Sequence, residues 1–97
     1  MILKFEWDEK KNKRNQKKHG ISFEEAIAVF SDPMNYETYD WNHSIFEKRW
    51  IKIGLAGGKI IKVVFTERNG TIRIISARKA DLNEEEEYFY GYGKKNS

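Results

Sequence analysis

Apolar and polar positions alternate from the start of the chain: Leu3, Phe5 and Trp7 fall on one side of residues 2–7 and Lys4 and Glu6 on the other, the pattern of a strand covered on one face. Asp8 suits a helix N-cap, because its carboxylate accepts from the free amides of a first turn. Cations accumulate toward Lys17 and Lys18, where the helix dipole favours them. A helix over about residues 9–19 is expected, ended by Gly20 in the left-handed conformation. Ser22-Phe-Glu-Glu25 reads as a capping box, and Phe23, Ala26, Ile27 and Phe30 as the apolar stripe of a second helix that stops before Pro33. Residues 36–41 read as a short strand and Asn42-His43-Ser44 as a turn. A meander follows over 47–56, 59–67 and 71–79, its turns marked by Gly57-Gly58 and Arg68-Asn69-Gly70. Asp81 or Asn83 caps a closing helix that runs to about Tyr90. The order βααββββα predicts an α+β domain, an antiparallel-rich sheet with helices packed on one face.

Strand parity distributes the charges. Ile61, Val63 and Phe65 share one side of their strand and Lys62, Val64, Thr66 and Arg68 the other. The same division sets Ile51 and Ile53 against Lys48, Trp50 and Lys52, and Ile72 and Ile74 against Arg73, Ile75, Ala77 and Lys79. With the helices over the isoleucines, the open face presents Lys48, Trp50, Lys52, Lys62, Thr66, Arg68, Arg73 and Lys79. Cations around an aromatic suit a phosphate backbone with unstacked bases, which makes Lys48, Trp50, Lys52, Lys62, Thr66 and Lys79 candidate RNA-binding residues. A merely solvated face, partly covered by the helix after Asp81, is the alternative.

The 97 residues allow one domain, expected over 1–90 with a loose tail over 91–97. Aromatic residues make up 14% of the chain, enough large buried area to argue against disorder despite 34% charged residues. The net charge of +3 conceals blocks of +4 (1–20), −5 (21–46), +7 (47–80) and −3 (81–97), and both basic blocks coincide with predicted elements, as a polyanion-binding surface would. The chain has no Cys and two separated His, so no disulfide framework, metal site or cofactor is expected. Charge at Lys4 and the lack of an apolar run near the ~18 residues of a membrane span lead to the expectation of a cytoplasmic protein without signal peptide or anchor.

The segments Phe5-Glu-Trp-Asp8, Lys11, Asn15, Lys18-His19-Gly20, Phe23-Glu-Glu-Ala26, Val29-Phe30, Asp32-Pro33, Glu47-x-Arg49, Gly54, Val63-Val64, Thr66-x-Arg68 and Arg73-Ile-Ile-Ser-Ala-Arg78-x-Ala80 together resemble the BrnT family, ribonuclease toxins of bacterial type II toxin-antitoxin pairs. The resemblance covers about residues 4–88. It implies a RelE-like fold, an RNA substrate, a BrnA-type antitoxin that binds the toxin, and operator DNA bound only through the toxin-antitoxin complex. The acidic closing helix and the end YFYGYGKKNS are less typical of the family.

RNA cleavage without a metal needs a base for the ribose 2′-hydroxyl, an acid for the 5′-oxygen and cations for the crowded phosphorane. His19 is the natural acid-base candidate, since an imidazole ordinarily titrates near neutrality; beside Gly20 it equally suits a bond to the last helix carbonyls. Lys18 is either a transition-state cation or a helix-end charge. Glu47 is a candidate base, or an ion-pair partner of Arg49 on the same side of its strand. If the meander is sequential, Glu47, Arg49, Arg68 and Arg73 converge on one edge. Arg78 has core-side parity at the far end of its strand and joins the catalytic set on the family resemblance alone. Trp7 and Trp41 read as packing residues. Two functions compete, an RNA endonuclease and a non-catalytic nucleic-acid-binding or partner-docking module on the same basic face.

Overall fold

The first helix forms because its ends are capped, since no residue in EKKNKRNQKKH is apolar. Asp8 accepts from the amides of Lys10 and Lys11, and Gly20 closes the helix at φ 72°. The computed structural model describes residues 2–96, with side chains over 2–91. In order it contains β1 (Lys4–Glu6), α1 (Glu9–His19), α2 (Phe23–Ala26), β2 (Tyr36–Tyr39), β3 (Trp50–Ala56), β4 (Lys59–Arg68), β5 (Thr71–Lys79) and α3 (Leu82–Asn96), an α+β arrangement. Tight 3-10 turns occupy Ile27–Ser31 and Trp41–His43. The second predicted helix is therefore divided: the capping box of Ser22 and Glu25 starts α2, and the chain tightens into the 3-10 turn before Asp32, which is extended as a residue preceding proline must be.

The strands form one five-stranded sheet in the order β1-β5-β4-β3-β2, parallel between β1 and β5 and antiparallel elsewhere. One side carries the main core. Ile61, Val63, Phe65, Ile72, Ile74 and Ala77 pack there against Ile21, Phe23, Ala26 and Val29. Phe30 meets both Phe5 and Phe65 edge-on with centroids 5.0 Å apart, and Trp7 meets Phe23 at 6.1 Å. Burying a side chain of the size of Phe23 contributes about 1.5–3 kcal/mol.

Helix α1 docks through amides. Asn15 Nδ2 donates to the carbonyls of Ile21 (2.9 Å) and Ala77 (2.7 Å), and its Oδ1 accepts from the Ala77 amide (3.1 Å). Because β1 ends opposite Arg73, the outer edge of β5 beyond that point has no strand beside it, and the Asn15 amide takes the place of one. Asn12 likewise accepts from the Phe23 amide at 2.8 Å and donates to Glu24 at 2.6 Å.

The helices do not all lie on one face, as the sequence pattern led us to expect. Tyr88 of α3 packs on the opposite side, against Ile53, Ile60 and Ala80, with Tyr36 and Ile51 beside them. Its hydroxyl donates to Asp32 Oδ2 at 2.5 Å; burial and that carboxylate push the phenol up to about 12. Burial works against ionisation of Asp32, but bonds from Tyr88 and from the amides of Leu55 and Met34 outweigh it and hold the carboxyl below its ordinary range. Asp81 caps α3 by accepting from the Glu84 amide at 2.9 Å. The helix continues past the expected end at Tyr90 to Asn96, over the stretch read as a loose tail, while the side chains beyond Gly91, and Ser97 altogether, lie outside the described residues.

Two parity assignments are corrected. The register Trp50↔Phe65, Lys52↔Val63 and Ile53↔Lys62 turns Trp50 and Lys52 toward α1 and α2, and Ile51 and Ile53 toward α3. Gly54 shares the first side, and a Cβ there would lie 2.8 Å from Val29 Cγ1, so the 3-10 turn is seated on a bare glycine. In β5, Phe65 pairs with Ile74 and Val64 with Ser76, which leaves Ile75 as the extra residue of a bulge. Beyond it the alternation is reversed: Ala77 is buried in the core, Lys79 pairs with Ile61 on the same side, and Arg78 sits beside Lys62 on the other.

Candidate active site

Glu47 lies in the loop that precedes β3 rather than on the strand, and this loop is closed by its own backbone. The Asp40 amide donates to the Arg49 carbonyl (2.9 Å), and Ser44 Oγ donates to the Asp40 carbonyl and accepts from the Arg49 amide at 3.0 Å. From this frame the Glu47 carboxylate reaches Arg68 Nη2 at 2.8 Å and Arg49 Nη2 at 3.8 Å. Arg73, which faces Thr66 across the ladder and so lies two positions from Arg68, pairs with Glu6 at 3.0 Å and adds to the positive potential at Glu47. The bond from Arg68, with the charges of Arg68, Arg49 and Arg73, holds the Glu47 carboxyl below its ordinary range although desolvation opposes this. Arg49 Nε is buried without a partner, a desolvated donor of the kind found at functional sites.

These groups border a cleft of about 330 Å³ lined by Asn42, His43, Ile45, Phe46, Glu47, Arg49 and Arg68. The structure thus brings together Glu47, Arg49, Arg68 and Arg73. Phe46 and Ile45 stand at the rim, 98% and 83% exposed. Trp41, read as a packing residue, is 82% exposed and touches Tyr39 only edge-on.

Other candidates lie elsewhere. Lys18 and His19 are exposed at the end of α1, on the opposite side of the sheet. They follow Asn15, which is bonded at Ala77, about 13 Å along β5 from Arg73 at ~3.3 Å per residue. Of the expected RNA-binding face, Trp50 packs against the main core and stacks edge-on with Tyr39 at 4.9 Å. Lys52 pairs with Glu37 at 3.4 Å and lies 5.2 Å from the Phe30 ring centroid. Lys48 borders a second hollow with Trp50 and Glu67 on that same side, and Lys79 also points that way. Thr66 is buried, its hydroxyl committed to the Lys48 carbonyl at 2.7 Å. Lys62 and Arg78 do share the side of the arginines, yet Glu84 of α3 engages both, at 3.7 Å from Lys62 and through two bonds of 2.8 and 3.0 Å to Arg78.

Sequence reasoning missed His43, assigned to a turn. Its Nδ1 lies 3.1 Å from both Asp40 carboxylate oxygens, and its ring borders the cleft. The signal was Asp40-x-x-His43, a carboxylate and an imidazole at the spacing of one helical turn.

The fold is an α+β domain whose open sheet end gathers arginines around one carboxylate, in a cleft rimmed by exposed apolar side chains, a concentration of positive charge of the kind that attracts polyanions. The family of BrnT ribonuclease toxins of type II toxin-antitoxin systems matches residues 7–84, and the chain belongs to it. Membership implies an antitoxin partner. A comparison with curated proteins gives no match.

Proposed function

We propose that this protein is a RelE-like endoribonuclease that cuts RNA without a metal ion, acts in the cytoplasm to arrest growth, is neutralised by a BrnA-type antitoxin, and meets operator DNA only within that complex. One observation carries the catalytic part: Glu47 is held ionised among Arg49, Arg68 and Arg73 at an open cleft. A carboxylate so held is a weak base at rest. An arriving phosphate competes for the same guanidinium groups, and as they turn to it the carboxylate regains the basicity needed to take the 2′-hydroxyl proton. Arg68 and Arg73 then stabilise the charge that develops on the phosphorane. Phe46, exposed at the rim, offers a stacking surface for an unpaired base.

DNA lacks the internal nucleophile and binds without being cut. The test is cleavage of labelled RNA by the purified protein in EDTA, with DNA and antitoxin controls. Products ending in a 2′,3′-cyclic phosphate and a 5′-hydroxyl are expected, along with suppression by the antitoxin. Metal-dependent cutting or 5′-phosphate ends would remove the mechanism, and RNA binding without cleavage would leave a docking module.

A further inference from the structure

The arginines and Glu47 supply a base and charge stabilisation but no proton for the departing 5′-oxygen. Guanidinium groups serve poorly, since they hold their protons at any working pH. His19, the imidazole read from the sequence, lies across the sheet, whereas His43 stands in the cleft itself.

Its setting is specific. Asp40 is buried, 8% exposed, while the His43 side chain is 68% exposed, so the carboxylate is fixed and the ring projects from it. An ionised carboxylate only accepts, so Nδ1 carries the hydrogen, and Nε2 is left for solvent or ligand, with no protein partner among the described residues. The Asp40 amide and carbonyl are tied to Arg49 and Ser44, so the group that orients the imidazole belongs to the same closed loop that presents Glu47. The charged groups facing His43 are Asp40 on its own turn, Glu47 and Arg49 from the loop, and Arg68 from β4.

We propose that His43 is the general acid of the cleavage reaction and Asp40 its positioning residue. The inference rests on the ribonuclease reading above and completes it. In the step, the 2′-oxygen attacks the adjacent phosphorus and its proton passes to the Glu47 carboxylate. The bond between phosphorus and the 5′-oxygen breaks, and that oxygen takes the proton from His43 Nε2. Cyclic phosphate and 5′-hydroxyl products leave, after which Glu47 returns its proton to water and His43 regains one.

The experiment compares the full chain with His43→Ala on two oligoribonucleotides, one natural and one with sulfur replacing the 5′-bridging oxygen at the scissile position. Sulfur leaves without a proton. We expect His43→Ala to lose about 10²–10⁴-fold on the natural substrate and to approach the unsubstituted protein on the sulfur substrate. The rate of the unsubstituted protein on natural RNA should fall on the alkaline side of the pH profile as the general acid is lost, and this fall should vanish with sulfur. Asp40→Asn should move that limb of the pH profile, and His43→Gln, at an exposed position, should abolish it. Equal losses on both substrates, or full activity of His43→Ala, would overturn the inference. Full activity of His43→Ala alongside an inactive Arg68→Ala/Arg73→Ala variant refutes only the role of His43, whereas failure of the unsubstituted protein to cut RNA refutes the ribonuclease reading and this inference with it.

Discussion

Replacing Asn15 by Leu keeps nearly the same volume and removes three buried hydrogen bonds, those to the Ile21 carbonyl, the Ala77 carbonyl and the Ala77 amide. None of these backbone groups has a neighbouring strand to turn to, because β1 stops opposite Arg73 and α1 excludes water from this edge of β5. Each buried polar group left unpaired costs about 1–3 kcal/mol, and the lower half of that range already gives a loss of about 3–6 kcal/mol for the three. Against the ~5–15 kcal/mol by which small domains are stable, that is a large fraction, and at ~4–8 °C per kcal/mol it lowers Tm by at least about 12 °C. Thermal and urea unfolding followed by circular dichroism measure it directly. The comparison is Lys13→Ala, an exposed change on the same helix, expected within ~0.5 kcal/mol. A loss below about 1 kcal/mol for Asn15→Leu would refute the role of this amide in docking α1, because apolar packing would then have to hold a helix that contains no apolar residue.

Three further outcomes are expected. Gly54→Ala places a methyl 2.8 Å from Val29 Cγ1 and 3.2 Å from the Val29 carbonyl, so it should destabilise the fold by about 1–3 kcal/mol in urea titration, and a neutral result would show that the 3-10 turn yields freely. Arg68→Ala combined with Arg73→Ala should abolish growth arrest and RNA cleavage while changing stability by less than ~1 kcal/mol per pair, as partly exposed ion pairs do; unfolding near room temperature would make these arginines structural. Glu47 and Asp32 are held below their ordinary values of 4.5 and 3.8, so their stabilisation is present above those values and is lost as pH falls through the lowered ones. Stability measured from pH 6 downward should fall, and Asp32→Asn should flatten the fall; an unchanged acid limb would remove Asp32 from its cause.

Local chemistry was legible in the sequence wherever one residue decides a conformation. Asp8, Gly20, the box of Ser22 and Glu25, and Asp81 act as their residue types require. Parity in β3 was not legible, because both sides of that strand are covered. Ile51 and Ile53 meet α3 while Trp50, Gly54 and Ala56 meet the main core, so alternation alone could not distinguish them. The bulge carries no Gly or Pro to mark it, and the wrong parity for Ala77, Arg78 and Lys79 comes from that single uncounted residue. Within the candidate site, the convergence of Glu47, Arg49, Arg68 and Arg73 came from antiparallel geometry and holds. His19 drew attention as a residue type beside a helix end, and only three-dimensional placement transfers that attention to His43.

The bulge at Ile75 also divides β5 into two stretches that count in opposite phase. Arg73 and Arg78 are five positions apart, an odd interval that would set them on opposite sides of an unbroken strand, yet both face the same way. Ile75 is therefore the one residue of β5 whose loss leaves every later side chain on its present side, with Ser76 following Ile74 as a regular alternation demands. Loss of Ala77 or Arg78 would instead put the side chains that follow in the strand out of step with the sheet. Tolerance of length change along this strand is thus concentrated at a single position, fixed by arithmetic rather than by exposure.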